Sequence, residues 1–147
     1  MRERLLSIAG VGVLILVAAC HHRGMSGGSD NPPLIGTEWA VMELNGTPAG
    51  VGNGDKPATL VFAPDEHHAS GFAGCNSAGG SFTHSGDELR FGPIMMTRMA
   101  CQRGMELEQR YSAALSATRR YRIADGELQL LSDDSVVARL VARHTEP

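Results

Sequence analysis

Three cysteines are the residues of this 147-residue chain with the most chemistry in them, and an odd number asks for separate roles. Cys20 ends the run Leu16-Val17-Ala18-Ala19-Cys20. Cys75 and Cys101 lie inside the glycine-rich middle of the chain. A cysteine can be a nucleophile, a metal ligand, a lipid attachment point or half of a disulfide. His67, His68 and His84 offer bases for Cys75, with Asn76 as an orienting neighbour. Asn76 beside a cysteine reads more simply as a turn or backbone-capping residue. Met95, Met96, Met99 and Met105 crowd a short stretch. Thioether sulfur suits Cu(I), although methionine is far more often a flexible filler of irregular cores. His21-His22 has no third ligand nearby, and His67-His68 follows Pro64-Asp65-Glu66 in a polar run that reads as a turn. The carboxylate pairs Asp87-Glu88 and Asp133-Asp134 also read as turns. There is no P-loop, no His-Glu-x-x-His and no Gly-x-Ser-x-Gly. The sequence assembles no catalytic constellation, metal site or cofactor site.

The leader decides what compartment those cysteines meet. Met1-Arg2-Glu3-Arg4 is followed by the apolar run Leu5 to Val17, too short for the roughly 20 residues of a spanning helix. A basic start, a short apolar middle and a small-residue end are the parts of an export signal. Its end resembles a bacterial lipobox, in which an apolar residue and two small ones precede a cysteine that becomes acylated. Residues 1–19 are thus expected to be a cleaved lipoprotein signal, with Cys20 the lipidated anchor and no membrane-spanning segment in the mature chain. Several acyl chains on one terminus hold a protein stably where a single chain does not. Cleavage leaves 11 basic and 15 acidic side chains, a net charge of −4. That charge excludes a nucleic-acid surface, which needs clustered Arg and Lys. Cys75 and Cys101 remain as an even pair in an exported protein, where oxidation is favoured.

Residues 20–33 are small, polar and glycine-rich and read as a flexible tether, so the globular domain is placed at 34–145. Trp39 to Leu44 reads as a strand running into an Asn45-Gly46 turn. Gly46 to Gly54 reads as a surface loop. Phenylalanines at 62, 72, 82 and 91 mark a beat of short strands, as in an antiparallel meander. Leu107, Tyr111, Ala114, Leu115 and Thr118 follow a helical stripe, with Glu106 and Glu108 near its start and Arg119 and Arg120 near its end. Strands return at Leu128/Leu130 and at Val136-Ala138-Leu140-Ala142. Strands, one helix and strands again describe an α+β domain.

Two segments carry a specific resemblance. Gly71 to Phe82 (GFAGCNSAGGSF) is similar to the glycine-cysteine-asparagine signature of the META domain, the group containing the HslJ heat-shock lipoprotein. Leu89 to Cys101 resembles its second signature, ending Thr97-Arg98-Met99-Ala100-Cys101. Trp39 with Leu44-Asn45-Gly46 resembles the opening strand of that family. The resemblance implies two antiparallel meanders wrapped around one helix, akin to a cracked barrel. It also implies a Cys75–Cys101 disulfide, with Gly74, Asn76, Thr97, Met99 and Trp39 as signature positions. Such a protein is expected to be a monomeric, non-enzymatic envelope lipoprotein, on the outer membrane facing the periplasm in a Gram-negative source. It would serve stress tolerance by binding an envelope protein or a small apolar ligand. A pilotin-like or chaperone-like module holding a peptide or lipid is the alternative.

Overall fold

The computed structural model describes residues 31–65 and 67–143; the leader, Cys20 and His21-His22 lie outside them. The first strand, β1 (Glu38–Leu44), turns through Asn45-Gly46, both left-handed at φ 50° and 74°, into the two-residue β2 (Thr47–Pro48). A short 3-10 turn at Asn53–Asp55 leads to β3 (Thr59–Phe62), β4 (His68–Phe72), β5 (Ser77–Ser85) and β6 (Glu88–Phe91). These four pair consecutively and antiparallel. After the two-residue β7 (Met95–Met96) and the single helix α1 (Met105–Ala117) come β8 (Arg120–Ala124), β9 (Glu127–Ser132) and β10 (Ser135–Ala142), a second meander. β1 pairs β3 on one side and β10 on the other, while β6 meets β8, so eight strands close into an antiparallel barrel. The fold is α+β, two meanders around one helix.

Closure is uneven. β1 and β10 share five register pairs, from Trp39 opposite Ala142 to Leu44 opposite Ala138. β6 and β8 share one, Glu88 opposite Arg120. That junction is the crack. Two backbone bonds flank it, Leu89 N–H to Arg119 O (3.0 Å) and Tyr121 N–H to Asp87 O (2.9 Å). Outside, Arg120 donates to Asp87 at 2.6 and 2.9 Å.

The helical stripe is the inner face. Leu107, Tyr111, Ala114, Leu115 and Thr118 are all buried and meet Trp39, Leu60, Leu89, Leu128, Leu130 and Leu140. Burying these apolar groups is the main gain of folding here. Tyr111 donates its hydroxyl to Thr59 O at 2.9 Å, and burial pushes that hydroxyl's pKa up. The helix ends before Arg119, whose guanidinium reaches back to Ser116 O at 2.9 Å, while Arg120 begins β8. The interior is closely packed. Space of only about 10 Å³ remains between Leu60, Ala69, Tyr111 and Leu115, barely room for one water.

Two expectations change, at Val136 and at Asn31, and the four phenylalanines divide. Val136 leaves the inner face of the last strand, because a bulge between Val136 and Ala138 turns Val137 inward instead. Three of the four phenylalanines meet, with Phe62 edge-on to Phe82 at 5.0 Å and 5.9 Å from Phe91. Phe72 pairs with exposed Ser77 and, by strand alternation, faces outward. Asn31 does not hang free in a tether. Its side chain accepts from Gly126 N–H at 3.0 Å, Pro32 is half-buried, and Leu34 is buried.

Candidate functional site: the corner at Cys75 and Asn76

Between β4 and β5 the chain makes a tight turn, Ala73-Gly74-Cys75-Asn76, all buried. Cys75 is bonded to Cys101 (S–S 2.06 Å, Cα–Cα 5.8 Å) across 26 residues of sequence. A bridged sulfur is not a thiolate, so the turn holds no nucleophile. His67 and His68 lie exposed at the start of β4, their backbone N–H groups donating to Asp65 Oδ1 at 3.0 and 3.3 Å. Among the described residues no three His, Cys, Asp or Glu side chains converge to hold a metal.

Asn76 is the hub. It is 2% exposed and uses every polar atom of its side chain. Its Oδ1 accepts from Met99 N–H at 2.7 Å and from the Thr97 hydroxyl at 3.0 Å. Its Nδ2 donates to Met99 O at 3.1 Å and to Glu108 Oε1 at 3.3 Å. The Asn76 backbone N–H donates to the other Glu108 oxygen at 2.9 Å. One amide therefore fastens the β4–β5 turn to the 97–99 segment and to the first turn of α1. Thr97 extends the attachment, exchanging backbone and hydroxyl bonds with Ser77 at 3.1 and 3.2 Å. Among the described residues no buried side-chain N or O lacks a partner. A buried amide with all its bonds made is rigid, and leaving any of them unmade is costly.

Glycine lets the backbones approach. Gly74 lies at φ 121° and Gly104, just before α1, at φ 94°. A methyl on Gly104 would run into Gly74 O, and one on Gly52 would do the same from the opposite side. Asn53 N–H donates to that same Gly74 carbonyl at 2.7 Å. The 46–54 loop, read from the sequence as a surface loop, is thus pinned to the corner. Its glycine content alone does not say which glycine is pressed against which carbonyl.

The methionines are used through their backbones. Met95 and Met96 form a further short strand, β7, on β5. Met96 packs partly against the core, while Met95 is 74% and Met99 57% exposed. Core filling therefore describes Met96 but not Met95 or Met99, because β7 pairing and the Asn76 clamp hold the main chain and leave these side chains outside. Trp39 lies apart from the corner, fully buried, its indole N–H donating to Leu34 O at 3.3 Å. Sequence reasoning missed Glu108 as an Asn76 partner. It also missed Arg110, whose guanidinium takes the carbonyls of Leu44 (3.2 Å) and Thr47 (3.1 Å) and ties α1 to the β1–β2 turn.

Two surface concavities flank this scaffold. One, about 720 Å³, lies along β8 beyond the crack, between Arg120, Arg122, Leu131 and Val136. The other, about 530 Å³, lies on the outer wall between the 53–57 segment and Arg143, lined by Phe72, Cys75 and Met99.

Comparison with known proteins agrees with this architecture. The META domain family model matches residues 32–144. A protein from Burkholderia xenovorans solved by NMR is 31% identical, with TM-score 0.61, over 77% of this chain and 85% of that one. A second NMR structure, at 23% identity and TM-score 0.55, covers 71% of this chain and 87% of its own and shares the fold. No protein with a curated description matches. The corner at Cys75, Asn76 and Cys101 sits inside the matched region, and the chain belongs to the META domain family.

Proposed function

We propose that this chain is a cell-envelope lipoprotein whose META domain works by binding and not by catalysis. In this reading Cys20 is acylated and holds the domain at a membrane surface, facing the periplasm where the source has an outer membrane. Leu16 to Cys20 and the basic, apolar leader support the anchor. The observation that carries the binding role is the closely packed interior. The core side chains close around α1, with a gap of about 10 Å³ between Leu60, Ala69, Tyr111 and Leu115, so in this reading a ligand or partner meets the outer wall. The rigid corner then serves as scaffold, its polar groups consumed by one another and none presented to a substrate. Tolerance of envelope stress through a bound protein or small apolar ligand is the biological role this reading assigns.

A peptide-holding, pilotin-like or chaperone-like role draws on the crack. β8 runs on past the β5–β6 turn, so its Tyr121–Ala124 edge borders the groove where an extended segment can add as a strand. Fractionation and crosslinking test both parts. Cys20→Ser should release the protein from membranes, and continued membrane retention would overturn the anchor. Crosslinking in intact cells followed by pull-down should recover one stoichiometric protein if the peptide-holding role is right. Bound lipid without protein would favour the small-ligand role.

A further inference from the structure

Asn76 is a buried amide spent on an exposed side chain, and that is an unusual outcome. It grips Met99 by both its N–H and its C=O, yet the Met99 side chain stays 57% exposed. The clamp fixes the backbone of this segment and leaves an apolar group facing solvent. Met99 lines the outer-wall cleft of about 530 Å³, together with Phe72, which strand alternation also turns outward, and with Pro57 and the Cys75 half of the disulfide. The cleft is of small-ligand size and mixed in lining, with Phe72, Pro57 and Met99 beside the charged Lys56, Arg143 and Glu38.

The rim has an uncompensated charge. Arg143 donates to Glu38 at 3.1 Å and is neutralised by it. Lys56, the single lysine of the chain, is exposed and has no ion-pair partner among the described residues. At the crack Arg120 is paired to Asp87 and Asp134, while Arg122 donates to the neutral Gln129 side chain and keeps its charge. In the outer-wall cleft the cation without an ion pair stands beside the outward Phe72 and Met99, which matches a ligand with an apolar chain and one anionic end.

We propose that the cleft between the 53–57 segment and Met99 binds a small anionic amphiphile of the fatty-acid class, its chain on Phe72 and Met99 and its carboxylate on Lys56. This inference names a ligand class for the binding role proposed above and rests on it. The probe is decanoate, below its micelle concentration, added to the full chain carrying Cys20→Ser. The reporter is the set of methionine methyl NMR signals. The Met99 methyl should shift and saturate, while Met95, more exposed and on β7, should not move. Lys56→Ala should weaken binding about tenfold and Lys56→Arg should retain it. Decanol, without the charge, should bind about tenfold more weakly, and decyl phosphate should separate a requirement for carboxylate from one for any anion. Met99→Ala, an exposed change that leaves the Asn76 bonds in place, should weaken decanoate with no loss of melting temperature. No Met99 shift up to about 1 mM, parallel shifts at Met95 and Met99, or indifference to Lys56→Ala would each overturn the site. A protein partner recovered by crosslinking would still stand in any of those cases, so the two readings fail separately.

Discussion

The corner at Cys75 and the crack between β6 and β8 both join segments far apart in sequence, and they do so by opposite means. At the corner a disulfide, a fully used buried amide and three touching glycines act within one turn. At the crack one register pair and an exposed ion pair bridge the gap, with the Arg120 and Asp87 side chains 50% and 58% exposed. Water competes for the second set of contacts and not for the first. Directional bonds in a dry turn contribute far more than the same atoms on a wet surface. The corner is therefore the firm point of the barrel and the crack its soft one, and four variants rank them.

Gly74→Ala should have the largest effect. The new methyl meets Leu107 and the Gly104 carbonyl at 2.9 Å, at a φ that side chains rarely adopt. Overpacking and backbone strain together cost about 4 kcal/mol in urea unfolding. An unchanged midpoint would show the corner to be less rigid than its contacts indicate. Removing the bridge comes next. Cys101→Ser reopens a 26-residue separation worth about 3.5 kcal/mol in the chain-entropy model, measured as a shift in the same midpoint. Reduction of the unaltered protein should reproduce it.

Asn76→Ala strands the Met99 N–H and removes the amide donor to Met99 O and Glu108 Oε1, while the backbone bond to Glu108 stays, at a cost of about 2–3 kcal/mol. Hydrogen exchange at Met99 should rise with it; protection as before would mean that the disulfide alone holds the segment. The smallest change is expected at the crack. The side-chain hydrogen bond from Arg120, together with its charge, holds the Asp87 carboxyl below the ordinary aspartate range. A carboxyl with a depressed folded pKa adds stability that is present above its unfolded pKa, near 4, and lost as pH falls through the folded value. Asp87→Asn should therefore lower the melting temperature slightly at neutral pH. The gap should close in acid and in high salt. A gap that persists in high salt would move the crack into the same class as the corner.

Much of this was legible from residue types. The stripe Leu107, Tyr111, Ala114, Leu115, Thr118 is the buried face of α1 because one helix repeat dictates one face. Asn45-Gly46 makes its turn because both residues tolerate positive φ. The bulge at Val136 was not legible, since alternation shows no sign of the extra residue until strands pair. The second signature was legible as a pattern, and only its methionines were read as core filler. Thr97 and Met99 act through backbone and hydroxyl atoms, and hydrophobicity says nothing about those.

Local rules, then, determined by themselves the helix face, the strand beat and the turns, because each depends only on neighbours a few residues away. Tertiary structure decided which glycines touch, that Asn76 reaches Glu108 32 residues on, and that Phe72 and Met99 face the same cleft as the chain's one lysine. Such contacts depend on where distant backbones cross. That crossing is set by barrel closure and by how the helix fills the barrel, neither of which any local stretch of sequence contains.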